Sequence, residues 1–277
     1  MKLSVIFINQ NSRNGLRLAL NNLFKAKSTI AYEVIVVDNL STDRSLEMLH
    51  LEFPKVKIIA NSYRESISKN YNRAIRAASG EYVLFLSPYA LTNKDGLDKI
   101  ITFMSQHPLV GGTSIRMVDF KGDYLPESKH SLDNCWASFL KVAGMGSYFP
   151  RSISKEHRKA DWGEEFDTSE VDSLHEDCML LRKSALEKAG LFDERFKWHG
   201  HNIDMAYRLR KQGFKIYYYS KTYIIQLPGK FVRKFSWEYI SHYYGAMFIF
   251  AAKYLFKLPV INLNDMGEIY PPSYEIE

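Results

Sequence analysis

Residues 32–43 read Tyr32-Glu33-Val34-Ile35-Val36-Val37-Asp38-Asn39-Leu40-Ser41-Thr42-Asp43. Four consecutive β-branched side chains leave no polar position to face water, so the run predicts a strand buried on both faces, as in a parallel sheet covered by helices. It ends at Asp38. Ser41, Thr42 and Asp43 carry short oxygen-bearing side chains suited to cap the first turn of the next helix.

The flanking sequence supplies the rest of such a sheet. Apolar runs predict strands at 3–8, 56–60, 82–86 and 110–118, the last containing the flexible pair Gly111-Gly112. Helical patterns fill 15–27, a segment closing at Ala78 with Gly80 as a left-handed cap, and 95–107. Alternation at this interval argues a parallel sheet with helices on both faces. Periodicity weakens from 119 to 170, as in a long functional excursion. It resumes as a strand over 171–181, a short helix over 184–189 stopped by Gly190, a helix over 204–212 ended by Gly213, a strand over 214–219 and an aromatic helix over 237–256. Ligands of open α/β sheets bind beyond the carboxyl ends of the strands, near the point where strand order reverses. Asn9, Asp38 and Ser87-Pro88-Tyr89 therefore share one rim.

Composition excludes several classes. With 277 residues, 46% hydrophobic and 25% charged, the chain is neither disordered nor fibrous. Two cysteines, Cys135 and Cys178, show neither metal-ligand spacing nor disulfide density, and 3–8 is too short for a signal peptide, so a cytoplasmic location is expected. The net charge of +6 is concentrated late in the chain: residues 195–257 hold twelve lysines and arginines against Asp204 and Glu238, before an acidic tail. No RNA- or DNA-binding motif accompanies this charge, so no nucleic acid is expected. The basic, aromatic C-terminal helix is interrupted by lysines and Pro259, too polar to span a bilayer but suited to peripheral contact with the inner face of a membrane.

The ordered pieces Val5-Ile6-Phe7-Ile8-Asn9-Gln10-Asn11, Val36-Val37-Asp38-Asn39-Leu40-Ser41-Thr42-Asp43, Asn72-Arg73-Ala74-Ile75, Gly80-Glu81-Tyr82-Val83-Leu84-Phe85-Leu86, Met179-Leu180-Leu181-Arg182-Lys183 and Gly190-Leu191-Phe192-Asp193-Glu194-Arg195-Phe196 together resemble the family 2 glycosyltransferases, in particular their bacterial rhamnosyltransferase-like branch. The resemblance covers about residues 3–255. It implies a GT-A fold, a mixed, mainly parallel α/β sheet flanked by helices with a C-terminal helical extension. Residues 1–118 would form the nucleotide-sugar-binding half, 119–230 the acceptor-side half, and 231–277 an aromatic, basic helix and acidic tail. It further implies transfer of a sugar, with inversion, from a nucleoside diphosphate sugar to a glycan, lipid-linked or protein acceptor. The donor site would be lined by Asn9, Asn11, Asp38, Asn39, Asn72, Ser87, Tyr89, Gln226 and Lys230.

Three positions depart from the family pattern. The acid that holds Mg²⁺ or Mn²⁺ against the diphosphate is replaced by Tyr89, a phenol that stays protonated at neutral pH, so no metal ligand is assigned. His201 and Asn202 stand where the Glu-Asp of the catalytic base is expected, with Asp204 as a third acid of that motif. Gln226 replaces a histidine. The chemistry is then either rebuilt or lost. Candidates for a rebuilt base are His201, Glu176 and Asp177. If 171–181 is a strand, Glu176 and Asp177 cannot both point inward, and His199 with His201 form at most a weak zinc pair. Lys230, Arg233 and Lys234 offer charge for a diphosphate. The alternative is a catalytically silent pseudo-glycosyltransferase that binds a nucleotide, glycan or partner protein.

Overall fold

A computed structural model describes residues 1–129, 132–153, 163–229 and 237–256. The buried run at 34–37 forms the middle of β2 (Tyr32–Asp38), which lies between β1 (Leu3–Asn9) and β3 (Lys57–Ala60), all parallel. On the other side of β1 comes β4 (Tyr82–Leu86), also parallel. Strand order therefore reverses between β1 and β4, and a crevice opens at their carboxyl ends. The sheet continues through β8 (Cys178–Arg182), β6 (Val110–Asp119), β9 (Lys215–Gln226) and β5 (Ala90–Thr92), with the two-residue β7 (Ser169–Glu170) pairing β9. β8 runs antiparallel to both β4 and β6, while β6 and β9 are parallel. The sheet is mixed and mainly parallel, as the sequence implies.

Period-two alternation divides the core. Leu3, Val5, Phe7, Val34 and Val36 face α1 (Arg13–Lys25), α2 (Ser45–Glu52) and α4 (Gly96–Gln106). Ile6, Ile35, Val37, Val83 and Phe85 face α3 (Ile67–Ala77), α7 (Lys183–Ala189) and α8 (His201–Lys211). A third cluster joins α5 (Asn134–Val142) and the neighbourhood of α6 (Pro150–Ile153) to α8 and α9 (Trp237–Tyr254) through Trp136, Phe149, Phe196, Tyr207 and Phe250. The excursion after β6 thus becomes the bed on which the C-terminal helix lies.

Several local expectations change. Ser41 and Thr42 do not cap α2. They tie the β2–α2 loop to the β1–α1 loop through Asn9 and Asn11, and Asp43 receives the Arg13 N–H at 2.8 Å, serving the first turn of α1 as well as the Ser45 N–H of α2. Gly80 is not a left-handed cap, since Ala78 closes α3 in extended conformation. A Cβ on Gly80 would stand 2.5 Å from the Ser4 backbone nitrogen, so close packing demands the glycine. The pair Gly111-Gly112 is likewise not slack, because Phe214 and Leu174 fill the space where side chains would be. β9 runs unbroken for 12 residues to Gln226 rather than stopping at 219. The expected strand over 171–181 is strand only from Cys178 onward.

Candidate active site

A cavity of about 520 Å³ occupies the crevice on the α3 and α8 face of the sheet. Its floor is Ile6, Ile8 and Phe85, its strand-end wall Gln10, Ser87 and Pro88, and Arg64 stands at its edge. Glu176 and Asp177 enter from the turn before β8, Trp198 and His199 from the loop before α8, and Tyr239 and His242 from α9, one helical turn apart.

Both carboxylates reach the cavity because the segment before β8 is a turn. Cys178 N–H bonds the His175 carbonyl, His175 N–H bonds Ser114 Oγ at 2.8 Å, and Ser87 N–H bonds the Asp177 carbonyl at 2.9 Å. Outside a strand, neighbouring side chains are not forced to opposite faces, which removes the either-or between Glu176 and Asp177. Burial among protein groups, then the charge of Asp177, pushes the Glu176 carboxyl up to about 7. Its side chain remains 48% exposed, opening onto the cavity. Water entering the mouth moderates the rise, and a ligand displacing that water strengthens it.

His201, expected as a replacement base in the cavity, lies behind its wall. It is fully buried, with Tyr71 and Phe192 at ring distances of 5.4 and 6.0 Å, and burial, aided by His199, lowers its pKa to about 3. Gly200, with φ of +80°, turns the chain between the two histidines, and His199 packs instead on Tyr239 and Tyr243. The two rings thus meet different neighbours. Asn202 donates to the Leu174 carbonyl at 2.9 Å.

Asp204 is structural. It is fully buried and accepts from Arg208 at 2.8 Å, Lys253 at 2.7 Å and Tyr254 at 2.6 Å, locking α9 onto α8. Asn72 is also spent within the fold, exchanging hydrogen bonds with the Phe192 backbone at 2.9 Å and donating to Glu194.

The single strand-end rim expected from sequence is divided by the pleat. Asn9 pairs with Asp38 on the α1 face, donating at 2.7 Å, and Asp38 also accepts the Ser41 N–H at 2.9 Å. Asn39 is buried among Gln10, Asn61 and Glu65, and Asn11 accepts from Thr42. These side chains organise the loops around the crevice. Tyr89 turns to the same side: a Cβ on Gly15 would meet its ring at 2.7 Å and one on Gly229 at 3.4 Å, so the ring is sandwiched there. Of the segment 87–89, Ser87 and Pro88 face the cavity. Gln226 pairs with Ala90 at the end of β9, its Oε1 buried without a partner. Lys230, Arg233 and Lys234 lie outside the described residues. Tyr89, at the position where the resemblance places the cation-holding acid, is a phenol whose ring packs against Gly15 and Gly229, so this residue does not fit the usual divalent-cation cradle. Arg64 and His242 carry no sequence motif, and Gln10, although it lies in the motif over 5–11, is not assigned to the donor site by it; only folding brings the three to the cavity.

A strand-end crevice at a topological switch, lined by paired carboxylates, marks the ligand site of an open-sheet α/β protein. The family model for glycosyl transferase family 2 matches residues 4–190, and the chain belongs to that family. It is 23% identical over 248 residues to N-acetylglucosaminyl-diphospho-decaprenol L-rhamnosyltransferase of Mycobacterium tuberculosis, covering 83% of this chain and 78% of that one. It is 25% identical over 231 residues to O-antigen biosynthesis protein RfbC of Myxococcus xanthus, covering 81% of this chain but only 17% of RfbC. The fold matches the structure of Staphylococcus aureus TarS in complex with UDP-GlcNAc at a TM-score of 0.66 and 20% identity, covering 91% of this chain and 66% of that one. The GT-A fold is thereby established.

Proposed function

We propose that the chain transfers a sugar, with inversion, from a nucleoside diphosphate sugar to a hydroxyl of a glycan, lipid-linked or protein acceptor. The observation that carries this reading is the placement of Glu176 and Asp177 in the crevice where the usual base positions hold His201 and Asn202. Glu176 takes the acceptor hydroxyl proton as that oxygen attacks the anomeric carbon, and the bond from that carbon to the diphosphate oxygen breaks. A carboxyl near pH 7 suits the task, being ionised in half or more of the molecules at neutral pH while remaining basic. Support for the donor class comes from the family, and for the acceptor class from the M. tuberculosis relative, whose name specifies a lipid-diphosphate acceptor.

Arg64 supplies charge toward the leaving diphosphate in place of a divalent cation. Transfer assayed with UDP-, GDP- and dTDP-sugars is expected to persist in EDTA, and Arg64→Ala to raise the donor KM about tenfold, the loss of one charge-assisted hydrogen bond. A requirement for Mg²⁺ or Mn²⁺ would overturn the assignment.

A second reading, a silent domain that binds a nucleotide, glycan or partner protein, draws on the internal hydrogen bonds of Asp38, Asn39 and Asn11. Thermal stabilisation by a donor with no product from any donor and acceptor extract would establish it instead.

The acceptor side also implicates a membrane surface at its cytoplasmic face. Trp237, Tyr244 and Phe248 are exposed on α9, the helix whose Tyr239 and His242 wall the cavity, and Phe256 is exposed just beyond its end. Among the described residues no helix is long and apolar enough to cross a membrane. Co-sedimentation with vesicles containing anionic lipid is expected, and the double change Trp237→Ser, Phe248→Ser should lower the partition coefficient about tenfold or more.

A further inference from the structure

The imidazole of His201 is buried with neither ring nitrogen bonded to a protein partner. Leaving such a group unpaired is costly, so a residue of this kind signals a partner that arrives with ligand or with a change of protonation. One side of the ring is closed by aromatics, Tyr71 and Phe192. On the open side Nε2 stands 3.6 Å from Glu176 Oε2. This is a few tenths of an ångström beyond hydrogen-bond reach, a gap that a small torsion of the half-exposed glutamate closes, and catalytic hydrogen bonds commonly tighten only with substrate bound.

The next residue serves the same turn. Asn202 donates its amide to the Leu174 carbonyl at 2.9 Å, two residues before Glu176. The two positions that depart from the expected Glu-Asp pair therefore both support the segment that brings in the new carboxylate.

We propose that His201 is a positioning residue for Glu176: its neutral imidazole presents the Nε2 lone pair to the carboxyl group, accepts a hydrogen bond once Glu176 has taken the acceptor proton, and thereby stabilises the protonated carboxyl. The inference rests on the assignment of Glu176 as base. In the step, the acceptor O–H bond breaks, the proton passes to a Glu176 carboxyl oxygen, and the acceptor oxygen forms the new glycosidic bond as the bond from the anomeric carbon to the diphosphate oxygen breaks and the nucleoside diphosphate leaves with that electron pair. The proton stays on Glu176, hydrogen-bonded to Nε2, until it leaves to water with product release. Burial, aided by His199, disfavours the imidazolium, so the proton rests on Glu176 rather than on His201.

The sign of the effect follows from the direction of that hydrogen bond. An acceptor facing the carboxyl favours its neutral form and strengthens the base, adding to the effect of burial and of Asp177. The other groups on this space are Tyr71 from α3, whose hydroxyl is held protonated by burial and both carboxylates, Tyr239 and His242 from α9, His199 beside Gly200, His175 facing Asp177, and Arg64. Among them His201 is aligned on Glu176 from the buried side.

The test compares pH profiles of kcat and kcat/KM for wild type, Glu176→Gln, His201→Phe and His201→Gln, with a thermal melt of each. Wild type should show an acidic limb near pH 7. His201→Phe should move that limb about one unit to lower pH and reduce the plateau kcat about tenfold at unchanged donor KM, because the base is weaker. His201→Gln, whose amide oxygen can accept, should keep the limb close to wild type. An unshifted limb in a folded His201→Phe enzyme overturns the positioning role while an inactive Glu176→Gln preserves the base. Wild-type turnover in Glu176→Gln overturns the base assignment itself. A second reading needs no variant: long-range ¹H–¹⁵N spectra of ¹⁵N-histidine-labelled protein should show His201 neutral with the proton on Nδ1 from pH 5 to 9. A proton on Nε2 would make the ring a donor to the carboxylate and overturn the proposal.

Discussion

Glu176→Gln is expected to lower turnover by about 10²–10⁴, the range typical for loss of a positioned base, with donor-induced thermal stabilisation intact. The amide matches the carboxylate in size and can occupy the same turn, whose backbone is held by Ser114, Ser87 and Asn202 rather than by the Glu176 side chain. Loss of activity would therefore report chemistry rather than misfolding. Asp177→Asn separates the two acids. Asp177 raises the Glu176 carboxyl, so its neutralisation should shift the acidic limb to lower pH and reduce rate modestly. Equal losses in both variants would mean that the pair acts as a unit, and a silent Glu176→Gln beside a dead Asp177→Asn would move the base by one residue.

The largest stability effect is expected at Asp204. Asp204→Ala leaves Arg208 without its buried counter-charge and Lys253 with Asp193 alone, and breaking one member of such a network costs about 3–5 kcal/mol. Because Lys253 and Tyr254 belong to α9, the loss should appear first as release of that helix, read by the near-UV circular dichroism of Trp136, Phe250 and Tyr254 and by early proteolysis near 237. Release also removes Tyr239 and His242 from the cavity wall, so acceptor KM should rise before the sheet unfolds. Asp193 gives the same lock a pH dependence. Burial opposes its ionisation, but hydrogen bonds from Arg195 and Lys253 prevail and hold its pKa well below the usual carboxylate range. A depressed folded pKa contributes stability that is complete above about pH 4 and is lost as pH falls toward the folded value. The helix should accordingly stay docked throughout the neutral range and loosen only in acid. A melting temperature unchanged in Asp204→Ala would show that α9 is held by its apolar face alone.

The strands and helices of the first half were legible because their signals are local. A run such as Val34-Ile35-Val36-Val37 has one favourable environment, and the helices between strands repeat at 3.6 residues. Family motifs carried the fold beyond residue 119. What misled was also local. A strand over 171–181 follows from composition, yet residues 171–177 give up a continuous ladder because their backbone groups are taken by the side chains of Arg210, Ser114 and Asn202 and by the Ser87 N–H, all distant in sequence. The glycines at 80, 111 and 112 were read for conformational freedom, whereas a Cβ at 80 would strike the Ser4 backbone, one at 111 the Phe214 side chain, and one at 112 the ends of Leu174 and Leu181.

The sequence by itself determined the α/β sheet, the family, and which residues, Tyr89, His201 and Asn202, stand where the resemblance places the cation ligand and base, since those are statements about residue types in order. Only the tertiary structure decided which groups meet. The pleat sends Asn9, Asp38 and Tyr89 to one face and the cavity to the other, a turn admits Glu176 and Asp177 together, and the turn at Gly200 gives His199 and His201 different neighbours. Direction of a side chain depends on hydrogen bonds and packing from segments up to 100 residues or more away, and no spacing along the chain encodes them.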